Sequence, residues 1–180
     1  MILQRTAAHS LSGLGALALI AGAVAGCAPT PAPTPTPTAA FASEEEAFAK
    51  AEEVYRAYID AFNAIELDDP ATFESVFKFT ADGYEASERE DLSAMHAEGY
   101  VRGGEIVIMR FLAQSFDGEK VVATTCNDVS TTTFVNKEGV SLVPADRPGR
   151  VSLELTFSTE GEDLRLSKAE SIEDDKCLAF

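Results

Sequence analysis

The hydrophobic period changes once along this chain, at Tyr100, and that change limits the fold more than any other feature. Upstream, Phe48, Ala51, Val54, Tyr55, Tyr58, Ile59, Phe62 and Ile65 recur at steps of three and four. That spacing predicts an amphipathic helix of about 20 residues. Ser43 stands where an N-cap belongs and Glu46 three residues later completes a capping box. Glu44 and Glu45 suit the positive end of the helix dipole. Asp69-Pro70 opens a short second helix, an N-cap followed by proline at the first position, with Phe73, Val76 and Phe77 on its apolar side. A third helix is expected over Glu85 to Ala97, with Leu92 and Met95 inward and Gly99 as its stop.

Downstream of Tyr100 the texture is that of strands. Glu105 to Leu112 is β-rich. Asp117-Gly118 is a hairpin turn, and Val121 to Cys126 is the returning strand. Val129 to Val135 is expected to extend it through a bulge near Asn127-Asp128, ahead of a turn at Asn136 to Gly139. After a loop from Pro144 to Gly149, Val151 to Phe157 alternates, Glu160-Gly161-Glu162 turns, and Leu164 to Ile172 forms the last long strand. Helices first and strands later predict an α+β domain, with N-terminal helices packed on a curved antiparallel sheet.

Ahead of this domain lies a different kind of sequence. Arg5 supplies a positive start, and Ser10 to Gly26 carry no charge. The run is short for a bilayer span, which needs about 20 apolar residues. Ala23, Ala25 and Gly26 then provide the small residues of a cleavage site before Cys27. Val24-Ala25-Gly26-Cys27 resembles the lipobox of bacterial lipoproteins. The resemblance implies a diacylglycerol on the Cys27 thiol, cleavage just before it, and a lipid anchor in the cell membrane on the extracytoplasmic side. Two or three acyl chains hold stably where one holds marginally. Five prolines between Ala28 and Ala40, interleaved with threonine and alanine, make a semi-rigid tether. At about 3.1 Å per residue it reaches roughly 40 Å. The expected organisation is a signal peptide over residues 1–26, the lipidated cysteine and linker over 27–42, and one domain over 43–180.

Charge narrows the partners. The chain carries a formal net charge of −16, and loss of Arg5 with the signal takes it to −17. Nucleic acid is excluded, because its phosphates call for lysine and arginine. Lying flat on anionic lipid is disfavoured for the same reason. With Cys27 acylated, Cys126 and Cys177 remain in an oxidising compartment, and an even pair reads as a disulfide. Closing a loop of about 52 residues would stabilise the fold by roughly 4 kcal/mol. Two buried free thiols are the alternative.

A long helix, a short one, a third, and then a hairpin-rich curved sheet resemble the nuclear transport factor 2-like cone, the SnoaL and ketosteroid isomerase-like group. Cys126-Asn127-Asp128-Val129-Ser130, followed by a turn with Gly139, looks like lipoproteins of high-GC Gram-positive bacteria that carry this domain. The resemblance implies a cone with an apolar mouth. It implies no particular chemistry, since the superfamily includes isomerases, cyclases, dehydratases and domains with no catalysis.

Tyr55, Tyr58, Tyr84, His96 and Asp128 are the candidate polar groups of a ligand cavity. Four of them have a blander reading. Tyr55 and Tyr58 at helical spacing suit a core, His96 suits a helix C-terminus, and Asp128 suits a turn. No catalytic residue is assigned, and no cofactor is implied. One histidine in the mature chain and two cysteines expected to pair leave zinc without ligands. The reading is a non-catalytic module that binds a ligand or an extracytoplasmic protein, or pairs with itself as a homodimer. The alternative is an isomerase or hydrolase working in the cone cavity. An enzyme requires convergent groups with shifted pKa values. A small-molecule binder requires a dry cavity without them. A protein binder requires an exposed apolar patch elsewhere.

Overall fold

Ser43 caps helix α1 (Glu44–Asn63): its hydroxyl accepts from the Glu46 N–H at 3.1 Å. The Glu46 carboxylate reaches back to the Ala42 N–H at 2.8 Å, one residue beyond the usual capping-box donor. Ala47, Ala51, Val54, Tyr55, Tyr58 and Ile59 form the buried stripe. The computed structural model describes residues 41–161, 163–174 and 177. The signal segment, Cys27, the linker up to residue 40 and Glu162 lie outside them. Among the described residues no helix is long and apolar enough to cross a membrane.

Asp69 caps a 3-10 turn over Pro70–Thr72, accepting from the Ala71 N–H, and the chain continues into α2 (Glu74–Phe77). Helix α3 runs Asp82–Ala97, one turn longer at its start than the sequence suggests. No side chain caps it. A backbone hook aligns its start instead: Ala81 N–H donates to the Leu166 carbonyl, and Leu166 N–H to the Phe79 carbonyl. Gly99 (φ +68) ends it as expected, with Gly99 N–H on the His96 carbonyl and Tyr100 N–H on the Met95 carbonyl.

Six strands follow: β1 (Val101–Gly103), β2 (Val107–Phe116), β3 (Lys120–Asp128), β4 (Thr133–Val135), β5 (Arg150–Glu160) and β6 (Asp163–Ile172). The main sheet is antiparallel in the order β2-β3-β5-β6, and β1 pairs with β4 in a separate ribbon. The expected extension of β3 into Val129–Val135 is therefore a correction. The chain turns out of the sheet after Asp128, because Val129 N–H pairs with the Gly149 carbonyl and Thr132 N–H closes on Val129. The expected bulge lies across the ladder from its predicted place. Met109 and Gln114 of β2 are the extra residues, and Ser167 is the extra residue in β6. Such insertions bend and twist a strand, and they curve this sheet around the helices.

The inward face of the sheet carries Val121, Ala123, Thr125 and Asn127 of β3, Leu155 and Phe157 of β5, and Leu164 and Leu166 of β6, all buried. Helices α1 and α3 cover that face. The architecture is the expected one, helices packed on a curved antiparallel sheet. On the opposite face Cys126 is joined to Cys177, with Cα atoms 5.5 Å apart.

Candidate functional site

Between the helices and the sheet lies a cavity of about 240 Å³. Helix α1 brings Tyr55, Tyr58 and Phe62 to its wall, α3 brings Tyr84 and Glu88, and β3 brings Asn127. Ile106, Val129, Leu153, Leu166 and Ala169 make most of the rest apolar. Each placement follows from a local period. Tyr55, Tyr58 and Phe62 share one stripe of α1, and Tyr84, Glu88 and Leu92 stand four apart on α3.

Two polar groups sit on this wall. In the first, Asn127 Nδ2 donates to the Tyr55 hydroxyl at 2.6 Å. The Thr125 hydroxyl lies 3.0 Å from both Asn127 Oδ1 and the Arg110 carbonyl, and donates to one at a time. All three residues are buried. Burial pushes the Tyr55 hydroxyl pKa up, and the Asn127 hydrogen bond with the nearby Thr125 hydroxyl partly offsets it.

The second group joins α1 to α3. Tyr58 Oη donates to Glu88 Oε1 at 2.8 Å. The Tyr84 hydroxyl lies 3.1 Å from the Tyr58 oxygen and, with the Tyr58 proton committed to Glu88, is its donor. Glu88 Oε2 is buried with no hydrogen-bond partner. Burial drives the pKa of both tyrosines well above the ordinary value, and the neighbouring carboxyl adds to it. Burial also raises the Glu88 pKa, with the Tyr58 and Tyr84 hydroxyls pulling back and Asp91 adding to the rise. Both tyrosines stay neutral donors. Glu88 keeps its proton to a higher pH than an ordinary carboxyl, so Oε2 presents a donor when protonated and a bare acceptor when ionised.

The structure thus brings Tyr55, Tyr58 and Tyr84 together and places the other two candidates elsewhere. His96 Nδ1 lies 2.8 Å from the Leu67 carbonyl, with its ring edge-on to Phe73 at 6.5 Å. It ties the end of α3 to the segment after α1. Asp128 Oδ1 accepts from the Ser130 N–H at 2.8 Å in the turn that leaves β3. Hydrogen bonds from Ser130 hold its carboxyl below the usual range, and Arg150 helps. Sequence reasoning missed Glu88 and Asn127. A signal for Glu88 existed: it stands one turn before Leu92, which was expected to face inward. Outside the cavity, Val107, Met109 and Leu112 of edge strand β2 are about half exposed, at 50%, 51% and 45%.

Fold and cavity together define an α+β cone, three helices closing one face of a curved antiparallel sheet around a lined interior. No protein-family model matches the chain, and no curated protein sequence matches it. Among solved structures it is similar to the intermembrane space region of chloroplast protein ARC6, at 10% identity and a TM-score of 0.50, over 71% of this chain and 97% of that one. It is also similar to a proposed aromatic ring hydroxylase from Novosphingobium aromaticivorans, at 10% identity and a TM-score of 0.49, over 72% of this chain and 96% of that one. A third similar structure is a protein of unknown function with a cystatin-like fold from Nostoc punctiforme, at 12% identity and a TM-score of 0.43, over 72% of this chain and 91% of that one. At such identity the ARC6 likeness speaks for the fold alone.

Proposed function

We propose that this is a lipid-anchored, extracytoplasmic binding protein whose cone cavity takes a small, largely apolar molecule carrying one hydrogen-bonding oxygen. The observation that carries the cavity reading is the Tyr58–Tyr84–Glu88 group set into a mostly apolar wall, with Glu88 Oε2 unpartnered. A buried polar atom without a partner costs about 1–3 kcal/mol, and a ligand oxygen placed there recovers part of it. At about 30 Å³ per water-sized group, the cavity holds a molecule of roughly eight heavy atoms. The anchor rests on the signal-like residues 1–26 and Cys27. The Cys126–Cys177 disulfide suits the oxidising compartment that such an export signal leads to.

A second reading is proton transfer next to a carbonyl, the isomerase-type alternative. The convergence of three groups with raised pKa values favours it. Glu88 would move the proton, and a tyrosine hydroxyl would hold the carbonyl oxygen.

Titration of the mature chain with cyclohexanone and with toluene, followed by NMR, tests the cavity. Saturable shifts at Tyr84, Leu153 and Ala169 are expected for both. Glu88→Leu should weaken the ketone about fivefold in mildly acid solution, where protonated Oε2 is the donor lost, and leave toluene unchanged. No saturation by either probe overturns the reading. Exchange of the cyclohexanone α-protons in D2O, faster with the wild type than with Glu88→Gln, selects proton transfer over binding alone. For the anchor, the Cys27→Ser chain should leave the membrane fraction; retention there removes the lipid from the account.

A further inference from the structure

Arg102 and Arg147 line one open groove of about 250 Å³. It shares Phe62, Ile106 and Val129 with the cavity as a common wall. Elsewhere Arg56, Arg89, Arg110 and Arg165 each hold a carboxylate within 3.1 Å. These two hold neutral groups instead. Arg102 donates to the Asn63 carbonyl at 3.3 Å and to Asn63 Oδ1 at 2.9 Å, with its guanidinium 5.0 Å from the Phe62 ring centre. Arg147 donates to Thr132 Oγ1 at 2.9 Å and to the Val129 and Thr132 carbonyls at 2.7 and 3.1 Å. A guanidinium carries five N–H donors in a planar fork, so neither is used up.

The placement goes against the rest of the molecule. The whole chain carries −16, yet two cationic side chains line one groove here and, among the described residues, neither is in a salt bridge. Burial lowers the Arg102 pKa, a sign that part of its hydration is gone, and exposed Glu105 only partly offsets this. Distant carboxylates do not neutralise the groove, because charges farther apart than about 8 Å are screened at physiological salt. A partly desolvated guanidinium pair beside Phe62, Ile106, Phe134 and Val143 matches a ligand with one charged and one apolar end.

We infer that this groove binds an amphiphilic organic anion, its oxyanion head on Arg102 and Arg147 and its apolar body along Phe62, Ile106, Phe134 and Val143. The site goes beyond the cavity proposed above and does not depend on it. The head supplies acceptors to the remaining guanidinium donors, and the body covers aromatic and aliphatic surface now open to water.

Calorimetry on the mature chain with octanoate, octyl phosphate and 1-octanol tests this. Both anions should bind at least about tenfold more tightly than the neutral alcohol. The tighter anion tells a fatty-acid-like ligand from a phosphate-headed one. Raising salt from about 0.05 to 0.5 M should weaken the anions and spare octanol. The Arg102→Gln/Arg147→Gln double variant should lose the preference for the anions. Octanol binding as tightly as octanoate, salt-independent octanoate binding, or a preference that survives the double variant each overturn the proposal. The salt series uses the wild type, so it decides the matter even if the variant does not fold. Cyclohexanone saturating while both anions fail to bind sinks this site and spares the cavity; the reverse result sinks the cavity alone.

Discussion

Glu88 buries one carboxyl oxygen without a partner and sets the other on the Tyr58 hydroxyl. Its pKa in the folded chain is raised, chiefly by burial. The folded state therefore holds this proton more tightly than the unfolded chain does. That contribution is fully present below the unfolded value and is lost as pH rises through the folded one. Glu88→Gln should thus match the wild type near pH 4 and be the more stable of the two at pH 7, as urea titrations at both values will show. A gap that widens on acidification contradicts the assigned direction. Asn127 is the opposite case, a buried polar residue with its partners in place. Asn127→Ala leaves the buried Tyr55 hydroxyl without its donor and should cost about 2–3 kcal/mol by denaturation. Tyr55 and Tyr58 were legible as inward-facing because helical spacing puts both on the apolar stripe of α1. Glu88 was passed over although it stands one turn before inward Leu92, since a glutamate among charged neighbours on a helix is ordinarily solvated.

At the scale of elements, caps and stops were the readable features. Ser43, Asp69 and Gly99 each mark a boundary through a bond within a few residues. The start of α3 was misplaced because its register is set by a hook onto β6, far away in sequence. The exit of the chain after Asp128 was missed for a similar reason: β4 pairs with β1, a three-residue strand that carries no pattern of its own. Gly104 makes that ribbon possible. Its φ is +72, and a Cβ there would run into the Thr131 backbone carbonyl. Gly104→Ala should destabilise the protein by about 2 kcal/mol and shift the NMR signals of Thr131 to Val135. Gly83→Ala is the control: open space surrounds that position in α3, so a gain of about 0.5 kcal/mol is expected in the same assay.

Across the whole molecule, the disulfide ties the outer face of β3 to the C-terminal segment, across 51 residues of sequence. Reduction should lower unfolding stability by about 4 kcal/mol if the unfolded chain regains that loop freedom. Guanidinium titrations with and without dithiothreitol measure it, and an unchanged midpoint assigns the bridge no role in stability. Cys126 is buried on a strand face that points away from the helices, where Cys177, itself buried, is bonded to it. The same cross-connection places Asp174 2.7 Å from Arg110 of β2.

The linear sequence by itself determined the order of helices and strands, the α+β class and the boundaries that close locally. Those features arise from periods and bonds spanning a few residues, so nearest-neighbour chemistry is enough to read them. Only the tertiary structure decided that Glu88 meets Tyr58 and Tyr84, that Asn127 meets Tyr55, and that two arginines share a groove. The pairs Glu88–Tyr58 and Asn127–Tyr55 lie 30 and 72 residues apart. Their meeting depends on how a sheet bent by bulges at Met109, Gln114 and Ser167 closes around the helices, and no local pattern encodes that curvature.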